Sequence, residues 1–343
     1  MSAKLLIRNI VAEMLFFLNV TSPARRSIGL LSIITFHRVL PGSDLQNYPF
    51  KGLVVTPEDL NAFLSYFTKH FDCGTLASQH KRFMHGETTT RPLLAITFDD
   101  AQYDNFQYAQ PILDHYNIKA SFFVPVVAVQ KGELLWHDRL GFSIQNLLNQ
   151  PNGIKLLSPL LNEFGLHLVG GEVNASKVVV ASKELTLEAR LSFVEALSTA
   201  CGKFSPPDFA RLMTFEEIQE LANSGHEIGS HSMTHCMMPE CDDRSLEYEV
   251  SESLKILNSR LTQPIDTFCY PNGDSDERSA NAVAKAGYLR AVTTDWGSNG
   301  IEIDRYRLRR FDMVTKHVLG FKNKFMPALL ALRMSGLYPG LGK

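Results

Sequence analysis

The chain alternates between short apolar runs and longer amphipathic stretches, and the apolar runs repeatedly stop on residues able to do chemistry. The clearest run is Leu-Leu-Ala-Ile-Thr-Phe at 93–98, bounded by Pro92 and ending on Asp99-Asp100. A run of that length between such neighbours predicts a buried strand. Residues 32–36 end the same way on His37-Arg38, and residues 120–124 end on Pro125. Residues 226–230 run into His231-Ser232-Met233-Thr234-His235, residues 267–270 into Pro271-Asn272-Gly273, and residues 289–294 into Asp295-Trp296-Gly297. Helix signals fall between them. Thr56-Pro57-Glu58-Asp59 is a capped start, and Leu60, Phe63, Leu64 and Phe67 share one face of a helix to about Phe71. Thr214-Phe215-Glu216-Glu217 is a capping box whose helix Gly225 closes. Further helices are predicted over 105–116, 244–261 and up to Ala286. Strand followed by helix, repeated, means a parallel sheet or barrel.

Residues 130–207 break this rhythm. They hold Gly, Asn and Pro clusters with helical stretches at 140–148 and 184–199. The segment reads as an insertion that shapes a cleft, too short and mixed to bury a full core. Three parts result: an N-terminal amphipathic helix over 1–28, a body over 29–317 containing the insertion, and a C-terminal amphipathic segment over 318–343. Residues 5–20 are apolar but interrupted by Arg8, Asn9 and Glu13, which is too short and too charged for a membrane span. They also lack the unbroken core of a signal peptide. An amphipathic helix fits better, packed on the body or lying on a membrane surface. The expected location is therefore the cytoplasm or the cytoplasmic face of a membrane.

Composition narrows the partners. With 34 basic and 36 acidic residues in 343, the net charge is −2, without the basic balance of a nucleic-acid binder. Five cysteines form no repeated framework, which points to a reducing compartment. Cys236 and Cys241, beside the histidine turn, read as incidental to it.

The chemistry sits at the strand ends, where α/β folds collect it. Strand side chains alternate, so Asp99 and Asp100 point in different directions and suit two jobs, one holding a metal and one handling a proton. His231 and His235 lie four apart, a spacing that puts both imidazoles on one face of a helical turn. With one carboxylate from another strand end they make a three-ligand divalent site with an open position, the catalytic zinc pattern.

Thr97-Phe98-Asp99-Asp100, His231-Ser232-Met233-Thr234-His235 and Tyr270-Pro271-Asn272-Gly273 resemble the first three motifs of the polysaccharide deacetylases, the family 4 carbohydrate esterases. The resemblance runs in order over about 32–312, apart from the insertion. It implies an α/β fold, a distorted (β/α)7-type barrel with parallel strands. It also implies a divalent metal, zinc first, with Co, Ni, Mn or Fe as alternatives. The implied reaction removes N-acetyl groups from amino sugars of a bacterial polysaccharide or its precursor. Carried over by position, Asp99 is the general base, while Asp100, His231 and His235 bind the metal. The turn at Tyr270, Pro271 and Asn272 then borders the substrate and its oxyanion.

Two positions depart from the family pattern. The usual late Leu-x-His is replaced by Leu308-Arg309-Arg310-Phe311, whereas His37 at an early strand end resembles the permuted branch that includes biofilm poly-N-acetylglucosamine deacetylases. His37 is therefore assigned the acid, the alternative being a capping or core histidine; His317 is a poorer candidate. Cys269 stands where the common third motif carries an Arg, a role that Arg310 or Arg38 would take over. Trp296, and Trp136-His137-Asp138, either line a sugar cleft or pack. Two rival readings keep the same residues: hydrolysis of a small amide or cyclic imide, and a catalytically inactive carbohydrate-binding protein, which would not need Asp99.

Overall fold

The computed structural model describes residues 3–168, 173–202 and 205–337. The apolar runs become seven strands: β1 (Leu31–Phe36), β2 (Leu93–Phe98), β3 (Ser121–Val124), β4 (Glu227–Ser230), β5 (Thr267–Cys269), β6 (Arg290–Trp296) and β7 (Leu308–Asp312). All pair in parallel in the order β1-β7-β6-β5-β4-β3-β2, and β1 also pairs with β2, which closes the barrel. The closing pair is in register over its whole length, from Leu31 opposite Leu93 to Phe36 opposite Phe98. A short strand, Asp72–Gly74, lies beside the first half of β2 while β3 takes the second half, so the ring is distorted there.

Every residue of β1 and β2 is buried, because helices cover the outside and side chains fill the inside. Alternation sorts them. Ile34, Phe36, Ile96, Phe98, Phe122 and Phe268 join the helix-facing cluster; Leu31, Ile33, Leu93, Ala95, Phe123, Cys269, Val292 and Leu308 form a second, interior one. Towards the carboxyl ends the interior positions turn polar, with Thr35, Thr97, Asp99 and Arg310 all buried. The floor of the carboxyl end is thus hydrogen-bonding, above the layer of apolar interior side chains.

The helix signals hold. Thr56 caps Pro57–His70, its hydroxyl accepting the Asp59 N–H at 3.1 Å, with Leu60, Phe63, Leu64 and Phe67 buried. Thr214 and Glu217 form the expected capping box on Phe215–Asn223. The insertion is more ordered than its sequence suggests. Besides Trp136–Leu148 and Leu187–Cys201 it contains Gly153–Glu163 and Ala175–Ser182. These helices do bury an apolar cluster, with Leu140, Ile144, Leu157, Val178 and Phe193 at its centre. That cluster is completed by Leu40, Tyr48 and Phe50 from the segment after β1, a contribution that reading 130–207 alone left out. At the other side, the helix Ala3–Phe17 packs on Pro327–Met334 through Ala12, Leu329 and Leu332.

Phe123 fills the barrel interior because its neighbour in register, Gly229, has no side chain. A Cβ at 229 would lie 2.6 Å from the Phe123 ring and 2.9 Å from the Thr267 carbonyl oxygen. Gly229→Ala is therefore expected to cost about 1–3 kcal/mol through overpacking. Urea unfolding measures it, and an unchanged midpoint would mean that Phe123 has room to yield.

Candidate functional site

Asp99 continues the inward register of β2 beyond its last strand residue, and its N–H still donates to the Phe36 carbonyl of β1 at 3.0 Å. Its carboxylate meets Arg310 from β7 in a paired geometry, Nη1 to Oδ1 and Nη2 to Oδ2, both 2.7 Å. The guanidinium also donates to the Thr293 carbonyl at 2.7 Å and to Thr35 Oγ1 at 3.0 Å, so one side chain ties β7 to β6, β1 and β2. Burial by itself raises the Asp99 carboxyl, but the Arg310 charge and its two bonds, with His37 and His231 beyond, hold it below the usual aspartate range. Arg310, not Arg38, is therefore the guanidinium paired with Asp99; Arg38 is spent on Asp104 (2.6 Å) and the Phe209 carbonyl (2.7 Å).

Asp100 turns the other way because its φ is +76°. Its Oδ1 lies 3.4 Å from His231 Nε2 and 3.2 Å from His235 Nε2. The three ligand atoms lie within 4.8 Å of one another. The helical turn expected from the His-x3-His spacing does not form. Residues 231–235 make an irregular loop in which Ser232 (φ +65°) and His235 (φ +58°) are left-handed. Hydrogen bonds inside the loop, and one buried carboxylate, replace helical geometry. Ser232 Oγ accepts the His235 N–H at 3.0 Å, while Glu249 accepts the Met233 and Thr234 N–H groups, each at 2.9 Å, and the Thr234 hydroxyl at 2.6 Å.

The donor set fits a divalent cation. His231 Nδ1 lies 2.8 Å from the Cys269 carbonyl, which accepts its proton. Against burial, the Cys269 and Asp100 contacts raise the imidazole well above its usual range, so Nε2 carries towards Asp100 a proton that a bound cation would displace. Burial pushes the His235 imidazole down to about 4, so it is neutral and able to ligate at neutral pH. The bonds from His231 and His235 hold the Asp100 carboxyl well below its usual range against the opposing effect of burial.

His37, just past β1, reaches the same space, with Nε2 3.8 Å from Asp99 Oδ2 and Nδ1 4.0 Å from Asp312 Oδ1. Both Nδ1 and that Oδ1 are buried and otherwise unpartnered. Asp312 escaped the sequence reading although it had a signal, a carboxylate ending the last strand as Asp99 follows β2.

These groups open on one cleft of about 590 Å³. His37, Asp99, Asp100, His231, His235, Pro271 and Asn272 line it, with Trp136 and His137 on the insertion side. Three expected site residues do not. Tyr270 is buried, its hydroxyl donating to the Tyr306 carbonyl at 3.0 Å and its N–H to Val292, so it offers the oxyanion neither group. Trp296 packs edge-on against Phe311 at 4.8 Å beneath the Arg333 guanidinium at 4.0 Å. Arg310 acts from below through Asp99 and not on the substrate. Conversely, Phe50, Val179, Val180 and Lys183 line the cleft without having been singled out. They come from the insertion and the loop it packs on, where no strand-end pattern marks them. Lys183 Nζ donates to Asn272 Oδ1 and so ties the insertion to the turn after β5.

The barrel with carboxylates and imidazoles gathered at its carboxyl ends defines an α/β scaffold of the (β/α)7 class. Its relatives are specific. Residues 191–291 match the family model described as Polysaccharide deacetylase, a stretch that contains His231, His235 and the 270–273 turn. Over that stretch the chain is similar to polysaccharide deacetylases. It is 29% identical over 98 residues to YxkH of Bacillus subtilis, which carries a polysaccharide deacetylase description. It is 25% identical over 91 residues to the peptidoglycan-N-acetylglucosamine deacetylase of Bacillus cereus. These alignments cover 29% and 25% of this chain and span 35% and 42% of the relatives' own length. Among solved structures, the Streptococcus pyogenes deacetylase PplD in complex with acetate aligns over 89% of this chain and 98% of its own, with TM-score 0.59 at 16% identity. IcaB from Ammonifex degensii aligns over 90% and 97%, with TM-score 0.54 at 14% identity. At such identities the two structures establish the shared fold.

Removing the guanidinium tests the electrostatics. In the native protein the Asp99 carboxyl is lower folded than unfolded, so the stability it contributes is present above the unfolded pKa and is lost as pH falls through the folded one. In Arg310→Met burial is opposed only by the more distant His37 and His231 and reverses the sign: the buried charge costs stability near neutrality, about 3–5 kcal/mol, part of which returns on mild acidification. Denaturant titrations from pH 5 to pH 8 (roughly the span over which a raised carboxyl titrates) should show this reversed slope. A parallel slope in the two proteins would overturn it.

Proposed function

We propose that the protein is a metal-dependent hydrolase that removes N-acetyl groups from amino sugars of a bacterial polysaccharide or its precursor. The observation that carries this reading is the convergence on one cleft of an ionised carboxylate, a separate Asp-His-His cluster and an imidazole. Amide hydrolysis needs a base for the attacking water, charge stabilisation for the oxyanion, and an acid for the departing amine. A divalent cation held by Asp100, His231 and His235, with zinc the first expectation, would supply Lewis acidity there.

The chain's own groups do the proton work. Asp99 accepts the proton of the attacking water, since Arg310 keeps it charged while its Oδ2 remains near the cleft. His37, on the other side of Asp99, delivers a proton to the sugar nitrogen as the C–N bond breaks. Asp312 faces His37 Nδ1 and is placed to fix the ring so that Nε2 points inward. The relatives' printed activities, peptidoglycan N-acetylglucosamine deacetylation among them, support this choice of bond and sugar class.

The cleft also speaks to substrate size. A volume of about 590 Å³ is that of a small-ligand site, and the helix Ala175–Ser182 walls one side of it. This favours a short amino-sugar unit, a chain end or a precursor, over the interior of a long polymer.

Acetate release from N-acetylglucosamine oligomers checks the reaction. It should vanish with a chelator, return with zinc, and fall by about 10²–10⁴-fold in Asp99→Asn. Release unaffected by chelator would remove the metal from the reading; no release from any amino sugar with metal bound would favour the small-amide alternative. The acid has its own signature. His37→Ala should slow an N-acetyl sugar far more than p-nitrophenyl acetate, whose phenolate departs unprotonated. Equal slowing of both substrates would contradict the acid role.

A further inference from the structure

The helix Ala3–Phe17 is amphipathic in reverse. It presents Ala12, with Leu15 and Phe16 partly buried beside it, to the helix Pro327–Met334 and leaves most of its other apolar residues in solvent. Leu6, Ile7, Ile10, Val11, Met14 and Phe17 are exposed, from 38% for Val11 to 88% for Phe17. At about 100° per residue these six occupy one arc of roughly 140°, with Arg8, Asn9 and Glu13 outside it. The neighbourhood extends the pattern. Of the twenty large apolar side chains exposed among the described residues, eleven lie in 1–28 and 315–343. A scattered surface would not concentrate them in the two terminal segments.

Charge divides along the same line. Residues 1–28 and 315–343 together hold nine Lys or Arg and one acid, a net of +8. The remaining 286 residues hold twenty-five basic and thirty-five acidic groups, a net of −10. Arg8 donates to the Leu319 carbonyl at 3.0 Å, which sets the turn bearing exposed Lys322 and Lys324 beside the helix. An apolar arc flanked by basic residues matches an interface of acyl chains and anionic headgroups. A second copy of the chain would match the apolar arc but set two basic patches against each other. Among the described residues no helix is long and apolar enough to cross a membrane.

We propose that this face docks the protein on the surface of an anionic lipid bilayer, with the helix lying in the interface. The docking face stands at the catalytic end of the barrel. Arg333, on the helix that Ala3–Phe17 covers, donates to the Asp312 carbonyl at 3.1 Å, and the Asp312 carboxylate is the one that faces His37. The cleft is thereby held near the bilayer, where an amino sugar carried on a lipid would present itself. The docking itself does not depend on the deacetylase reading.

Co-sedimentation of the full chain with vesicles tests it. The protein should pellet with vesicles of mixed phosphatidylglycerol and phosphatidylcholine, much less with phosphatidylcholine alone, and less as salt is raised. Ile7→Glu/Ile10→Glu changes two exposed positions, so its thermal midpoint should stay put while vesicle binding falls at least tenfold. Lys322→Glu/Lys324→Glu should weaken binding to the anionic vesicles selectively. Failure of the wild type to pellet, or equal pelleting by the Ile7/Ile10 variant, would overturn the proposal. So would a wild-type dimer in light scattering that the same variant converts to monomer without any vesicle binding. Acetate release from a soluble oligomer, unchanged in these variants, separates docking from the chemistry.

Discussion

The site depends on one buried ion pair. Arg310 and Asp99 face each other across the closed end of the barrel, and removing both charges from water is costly unless every hydrogen-bonding group is used. Here it is nearly all used. The guanidinium bonds both carboxylate oxygens, the Thr293 carbonyl and the hydroxyls of Thr35 and Thr97. That network spans β7, β6, β1 and β2, including the β1–β2 seam where the barrel closes. The pairing that keeps Asp99 ionised is therefore also the one that fixes the strand ends around it. Closure of the barrel and ionisation of Asp99 rest on the same contacts.

Backbone strain gathers around this floor. Nine non-glycine residues among those described have φ in the left-handed region, and Asp100, Ala101, Ser232, His235 and Asn272 are five of them. Each such residue costs on the order of 1–3 kcal/mol, so the surrounding structure must hold them. Glu249 does this for the histidine loop with three bonds from a helix that has no other part in the site. Asp100 gains its separate direction from the same kind of distortion: strand alternation begins the divergence from Asp99, and the left-handed turn completes it.

These two constraints explain what the sequence could and could not show. The barrel was legible because apolar runs buried on both faces and capped helices leave strong local patterns. Asp99, Asp100, His231, His235 and His37 were legible because they sit at the ends of those runs. The loop geometry at 231–235 was not, since a four-residue spacing suits a helix and an irregular turn equally, and Glu249, which decides between them, is one acid in a helix rich in acids. Tyr270 and Trp296 were misjudged for a related reason. Nearness to a motif fixes the backbone position of an aromatic ring but not the direction of its side chain, and both rings turn into packing. The insertion hid its order because its apolar cluster is completed by Leu40, Tyr48, Phe50 and Val54, about a hundred positions earlier.

The placement of Arg310 follows from the geometry of the barrel interior. The resemblance to the deacetylases leaves a gap at Cys269, where the common motif carries an arginine. Cys269 ends β5 and Arg310 lies in the middle of β7, with β6 between them, and both positions point inward beneath Asp99. What the base requires is one cation within bonding distance of its carboxylate, not a cation from a particular strand. With Arg310 in place, a second guanidinium at 269 would meet a like charge in a space already filled to 0% exposure of the cysteine. The small residue at 269 and the arginine at 310 are thus two halves of one exchange. The Cys269 backbone carbonyl keeps its own task through the exchange, accepting from His231 Nδ1 and turning Nε2 towards Asp100.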